Sequence, residues 1–226
     1  MKTKKLKELL LFLLAFILIA TGISSCTKDG SAATTPNAFV MVTNAAATSQ
    51  AQDFYLDSTK VTAAPLDYGT SSNTFLLTVN GSHLARFRDA GTTNVNVSFN
   101  IILDVQQSYN VFYVDGGQYA TIYNDRSMPV GTNARVRFIN LSTALSSTNV
   151  DFIATGGTTL GANLPFKTPS IYSDVDASTG FAVYKKGLST PVVSIPASSL
   201  QSGRVYTIFI AGTNDASINY HIVTEH

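Results

Sequence analysis

Asn37-Ala38-Phe39-Val40-Met41-Val42-Thr43-Asn44 and Asn133-Ala134-Arg135-Val136-Arg137-Phe138-Ile139-Asn140 are two versions of one segment, and their alignment decides the fold. Both open on Asn-Ala, close on Asn and alternate their side chains in step, displaced by 96 positions (37 against 133). The correspondence continues downstream. Asp53-Phe54-Tyr55 matches Asp151-Phe152-Ile153 and Leu66-Asp67-Tyr68 matches Leu164-Pro165-Phe166, both displaced by 98, while Tyr109-Asn110-Val111-Phe112-Tyr113-Val114 matches Tyr206-Thr207-Ile208-Phe209-Ile210-Ala211 at 97. Four blocks in one order at nearly constant spacing mark a tandem duplication.

Each copy is rich in Thr, Ser, Asn, Val, Ile, Phe and Tyr, a balance that favours strands. Short alternating runs are broken by turn residues every ~8 to 12 positions, the pattern of a sandwich. The expected fold is all-β: two tandem immunoglobulin-like antiparallel β-sandwich domains, 37–128 and 129–226, with the boundary in Arg126-Ser127-Met128-Pro129-Val130-Gly131-Thr132. In the first copy Asn80-Gly81 suits a type I′ hairpin joining Thr74–Val79 to His83–Arg88. Asn94–Ile101 alternates cleanly, with Val95, Val97, Phe99 and Ile101 facing a core. In the second copy Phe181–Tyr184 leads into a turn at Lys185-Lys186-Gly187, and Pro191 and Pro196 point to an edge strand or loop. So short a linker is expected to stack the domains end to end as a stalk.

Positions 1–25 read as an export signal rather than a fold element: Lys2, Lys4, Lys5 and Lys7, then an apolar run, Leu9–Ala20, too short to span a bilayer. Ile23-Ser24-Ser25-Cys26 resembles the lipobox of bacterial lipoproteins, and Cys26 is the single cysteine of the chain, so it has no internal disulfide partner. Lipidation of Cys26 is therefore expected, with 1–25 removed as a lipoprotein signal peptide and 26–36 serving as a flexible tether. Thr27-Lys28-Asp29-Gly30 partly resembles a surface-export signal with its second acid missing. The expected address is the cell envelope, at the outer membrane.

Processing would leave 11 basic and 13 acidic residues, a formal charge of −2. Nucleic-acid binding, which needs clustered Lys and Arg, is disfavoured. His83, His221 and His226 form no catalytic or zinc-binding pattern, so no enzyme activity, metal or cofactor is expected. His83 is expected on a strand with its ring in solvent. Asp174 and Asp176 form the closest acidic pair and read as a polar strand face or turn. Asp53 and Asp151, occupying one position in both copies, read as turn-capping carboxylates that serve the fold. Asp57-Ser58-Thr59 fits a low-specificity bacterial O-glycosylation triplet. Function is sought in what the copies do not share, namely Tyr113, Tyr119 and Tyr123 around the turn Asp115-Gly116-Gly117-Gln118, as a surface for sugar rings or a protein. The same rings suit the core or the junction between domains.

The second copy also resembles a known family. Ala134–Ser142, Asn149-Val150-Asp151-Phe152 and Gly203–Gly212 are similar to the bacterial envelope domain of unknown function numbered 4397, and 37–124 more faintly so, with Phe39 and Met41 in place of Arg135 and Arg137 and Asp115 in place of Gly212. The resemblance implies immunoglobulin-type sandwiches, secreted or lipid-anchored, and the family has no established activity to transfer. The expected function is a lipid-anchored envelope module for interaction, adhesion or structure, its partners the membrane through Cys26 and an envelope protein or glycan; the alternative is a glycan-binding accessory lipoprotein.

Overall fold

The computed structural model describes residues 37–225, so Cys26 and the expected signal peptide and tether lie outside the described residues. The first copy runs β1 (Asn37–Asn44), β2 (Gln52–Leu56), β3 (Thr59–Lys60), β4 (Leu76–Val79), β5 (Gly81–Asp89), β6 (Val95–Leu103), β7 (Ser108–Val114) and β8 (Gln118–Asn124). The second repeats the series as β9 (Asn133–Asn140), β10 (Val150–Ala154), β11 (Thr159–Leu164), β12 (Ser173–Asp176), β13 (Phe181–Lys185), β14 (Pro191–Ile195), β15 (Val205–Ala211) and β16 (Asn219–Thr224). Each copy folds into two four-stranded sheets, ordered β4-β1-β7-β8 over β3-β2-β5-β6 and β12-β9-β15-β16 over β11-β10-β13-β14. The tandem sandwich expected from the sequence is thus present, strand for strand. Within each, β1 and β7, or β9 and β15, pair in parallel at the sheet centre, and the other ladders are antiparallel.

The duplication extends to single hydrogen bonds. Asn44 and Asn140 each turn the side chain back onto the loop that follows, accepting from Ala46 N and Ser142 N at 3.0 Å. Ser72 and Ser170 accept from Val42 N and Phe138 N in the same way. The hydroxyls of Tyr109 and Tyr206 accept from backbone N–H groups five residues upstream, Asp104 and Gln201, at 3.1 and 3.0 Å. This is the corner bond found in many sandwich domains. Asp53 and Asp151 serve the fold as expected, accepting from Gly91 N and Asn163 N and pairing with Lys60 and Lys186.

Three apolar cores hold the described residues together. Val40, Phe54, Phe87, Phe99 and Val111 fill the first sandwich, and Phe138, Phe152, Phe181, Val183 and Ile208 the second. The third lies between them, where Met41, Phe112, Ala120 and Ile122 of the first copy meet Ile139, Leu141, Phe209 and Val223 of the second. The β4-β1-β7-β8 and β12-β9-β15-β16 sheets therefore pack on one another, giving four stacked layers, and β7 and β15 are buried along their whole length on both faces. This corrects the end-to-end stalk. Met41, Phe112, Ile139 and Phe209 are fully buried, and each contributes about 1.5–3 kcal/mol over exposure. Because the linker already holds the halves at high effective concentration, that gain favours the face-to-face arrangement over an extended one. Equivalent residues meet across the seam: Phe112 and Phe209 at 5.6 Å between ring centroids, Asn110 Nδ2 and Thr207 Oγ1 at 3.4 Å. Self-pairing of this kind characterises two-fold dimer interfaces.

One further expectation changes. Asn80-Gly81 is not a hairpin, since β4 pairs with β1 while β5 pairs with β2 and β6 in the opposite sheet. Gly81, at φ +123, lets the chain cross between layers so that Ala85 and Phe87 enter the core from the other side. β14 is an edge strand, as Pro191 predicts, and β6 buries Phe99 and Ile101 as its alternation requires, whereas Val95, beyond the register shift at Phe87/Arg88, is 47% exposed instead of facing the core.

Candidate functional site

The three tyrosines separate into two environments. Tyr113, near the end of β7, points into the first sandwich with its ring 5.3 Å from that of Phe87 and only 6% exposed. Tyr119 and Tyr123 lie on the edge strand β8 and are 38% and 56% exposed, Tyr119 stacked on Phe99 at 3.7 Å and Tyr123 edge-on to Tyr109 at 6.2 Å. Both therefore close the open side of the sandwich with one part of the ring and offer the remainder to solvent. Tyr113 and Tyr119 face each other across the β7–β8 ladder.

Polar chemistry concentrates in the seam, which no sequence motif announces. Arg137 and Glu225 are paired at 3.1 Å with side chains 2% and 1% exposed. Arg137 also donates to Thr207 Oγ1, Tyr123 O and Asn124 Oδ1, and lies 4.6 Å from the Tyr172 ring. Glu225 accepts from Asn110 Nδ2 at 2.7 Å, from Thr207 Oγ1 and from the Tyr172 hydroxyl at 2.6 Å. Burial, reinforced by the Glu225 charge, pushes the Tyr172 hydroxyl far up, so it remains a donor. Every charge in this cluster is matched, and the result is a register lock between the copies.

His221 occupies the other end of the seam rather than an ordinary strand face. Its ring stacks on Phe209 at 5.0 Å and meets Tyr68 of the first copy edge-on at 4.7 Å, and burial lowers its pKa. The linker is pinned to both sides, because Asp125 pairs with Arg135, Asp174 accepts from Val130 N, and Arg126 lies over Phe39. Asp174 is further paired with Arg135, and Asp176 caps its own turn through Ser178, so the acidic pair is a polar strand end. Among the described residues no group of three or more His, Cys, Asp or Glu could hold a metal.

His83 is not solvated as expected. Its Nδ1 meets Asp57 Oδ2 at 2.8 Å and its Nε2 meets Val79 O at 2.9 Å, so neither nitrogen is free for a substrate. These groups border an open cleft of about 430 Å³ between the edge strands β3 and β4, walled by Leu56, Val61 and Leu76. Asp57-Ser58-Thr59 forms the exposed turn beside it.

A second cavity, about 260 Å³, lies at the loop end of the first sandwich, bordered by Thr48, Gln50, Asp89, Asn96, Tyr113 and Asp115 among others. Gln52 Nε2 and Asn96 Nδ2 donate to Asp89 Oδ1 at 3.0 and 2.7 Å and hold that carboxyl below its usual range. Asp115 is 3% exposed and accepts from Ala47 N, Thr48 N and Thr48 Oγ1 at 2.7–2.9 Å. Burial, then the charges of Asp89 and Asp115, push the Tyr113 hydroxyl up. Sequence reasoning singled out Tyr113 and the 115–118 turn but missed Asp89 and Asn96, whose approach depends on which strands share a sheet.

These features define a paired β-sandwich protein whose copies are fused through one sheet face. A family model, described as a domain of unknown function, DUF4397, matches residues 38–149. The match covers the first sandwich and continues through β9 to the turn before β10, so it falls on the copy in which the sequence resemblance is fainter. Among solved structures, the chain is similar to a family 26 carbohydrate-binding module of Amy13K from Eubacterium rectale in complex with maltoheptaose, with 14% identity over 81% of this chain and 96% of that one and a TM-score of 0.28. No curated protein matches.

Proposed function

We propose that the protein is a non-enzymatic, lipid-anchored module of the bacterial envelope that presents a rigid double sandwich to an envelope partner. The observation that carries this reading is the third core: the halves share a buried apolar seam with a matched charge cluster, and that seam takes up Arg137, Glu225 and His221. Outside it, Asp53, Asp125, Asp174 and Asp176 are engaged in turns and linker contacts. What remains for recognition is surface, namely the loop ends, the β8 tyrosines and the β3–β4 cleft. The lipobox at Ile23–Cys26 supplies the anchor, and two or more acyl chains on Cys26 would make it stable where a single chain binds only marginally.

Fractionation of cells expressing the full-length chain tests the anchor. The wild type should be found with membranes at mature size, and Cys26→Ser should be released or left unprocessed. A Cys26→Ser protein that stays membrane-bound at mature size would overturn the proposal.

A further inference from the structure

We propose that the loop-end pocket of the first sandwich binds a single neutral sugar ring through a pair of adjacent hydroxyls. This rests on the binding-module reading above and gives the module a ligand class. The polar groups that line the pocket are not repeated in the second copy. Where the first copy has Tyr113 and Asp115, the second has Ile210 and Gly212, and where Asp89 faces β2, Lys185 faces β10 and pairs with Asp215. Asp115 holds the 47–48 backbone, and a Cβ on Gly212 would run into Ser217 and Ile218, so packing accounts for that difference and the group it leaves unexplained is the Tyr113 hydroxyl.

The groups themselves describe the ligand. Tyr113 is more than nine-tenths buried, borders the cavity, and its hydroxyl has no hydrogen-bond partner among the described residues. Burial, then the charges of Asp89 and Asp115, keep it protonated, so it offers a donor to whatever occupies the cavity. A carboxylate offers about four lone-pair sites. Asp115 has three donors, and Asp89 has Gln52 and Asn96 with Asn94 nearby, so each keeps room for about one more. No Lys or Arg pairs with either acid among the described residues.

An anion would be repelled by two carboxylates. A calcium ion seeks six to eight oxygens and would leave the phenol donor unanswered. A hydroxylated neutral ring both accepts from Tyr113 and donates to the acids. The cavity volume, about 260 Å³, is modest. It falls short of the range that holds drug-sized ligands, which suits one ring rather than a chain. Tyr119, directly across the ladder from Tyr113, keeps one face on Phe99 and is partly exposed, so its other face is available to the C–H side of a sugar.

The test is a printed array of neutral and acidic glycans probed with the full-length protein in a sugar-free detergent, followed by calorimetry with the strongest neutral glycan and, separately, with calcium chloride. Retention of a neutral glycan is expected. Tyr113→Phe, which keeps the ring in the core, should weaken it about tenfold, the worth of one hydrogen bond, and Asp89→Asn likewise. Lys185→Ala, at the matching place in the second sandwich, should leave it unchanged. The proposal is overturned if no neutral glycan is retained, if Tyr113→Phe binds as well as the wild type, or if calcium alone gives saturable heat that Asp89→Asn abolishes. Because Cys26→Ser reads only the anchor, an anchored protein that fails on the array refutes this site and leaves the envelope-module reading intact.

Discussion

Glu225→Ala should be the most damaging single substitution in the seam. It removes one partner of a pair whose side chains are 2% and 1% exposed, leaving the Arg137 guanidinium buried with only neutral acceptors and the Tyr172 ring, and it takes from Asn110 Nδ2 its shorter hydrogen bond and from the Tyr172 hydroxyl its acceptor. Breaking a buried pair from one side costs about 3–5 kcal/mol, because a charge remains without compensation. For a body of this size, at ~2–4 °C per kcal/mol, thermal unfolding followed by circular dichroism should fall by roughly 6–20 °C. The companion variant carries the discriminating power. Met41 stands in the first copy where Arg137 stands in the second, so Arg137→Met places in the seam a side chain that the equivalent position already accommodates. Arg137→Met combined with Glu225→Ala should recover most of the loss, since an apolar replacement of a buried pair is often neutral or stabilising. A single variant within about 1 kcal/mol of the wild type, or a double variant less stable than the single, would refute the claim that the cluster acts as a matched charge unit.

Two further outcomes probe the other end of the seam. Burial lowers the His221 pKa. Below the ordinary ~6.5 the unfolded chain therefore takes up a proton that the folded chain refuses; this contribution is flat above ~6.5 and becomes destabilising as pH falls beneath it. Urea midpoints measured from pH 8 to 5 should show that decline in the wild type and a shallower one in His221→Phe; identical slopes would count against a buried neutral imidazole. Gly69→Ala should cost about 1–3 kcal/mol, the usual toll of overpacking. At φ +78 its new Cβ would overlap His221 Nδ1, in a ring already held by Phe209 and Tyr68. An unchanged urea midpoint would show that the ring can move aside.

Much of this architecture was legible because a duplicated pattern repeats its errors and its signals together. The alternation in 94–101, the pairing of Tyr109 with Tyr206 and the proline at the start of β14 each report a local requirement, and local requirements can be read from one strand at a time. The Asn80-Gly81 turn misled for the opposite reason. Turn chemistry states that the chain reverses or bends but not whether the next strand joins the same sheet, and here Gly81 serves a crossing between layers. The seam was hidden because a strand buried on both faces loses its alternation: Val111, Phe112, Tyr113 and Val114 read as an apolar run without saying what covers each side. Arg137 and Glu225, 88 positions apart, share nothing in sequence that would join them. Tyr113 was visible as a candidate, whereas its acidic neighbours come from β5 and the β7–β8 turn and meet it only in three dimensions.

The way the copies differ follows from their being fused. In a true two-fold dimer any substitution near the axis appears twice, so an arginine there would face a second arginine. Joining the halves in one chain lifts that constraint and lets each side of the seam take a different residue. The departures at the seam are of this complementary kind, with Met41 against Arg137, Asn124 against Glu225, and Ala120 against His221, by the ladders that place Ala120 beside Phe112 and His221 beside Phe209. An asymmetric charge pair fixes one register where a purely apolar face would permit sliding, and each copy acquires a distinct partner surface. The same freedom acts at the loop ends. Once the second sandwich holds the first in place through the seam, the first can carry two carboxylates and a phenol hydroxyl around one cavity at its rim, while the second keeps Gly212 and Ile210 at the matching positions.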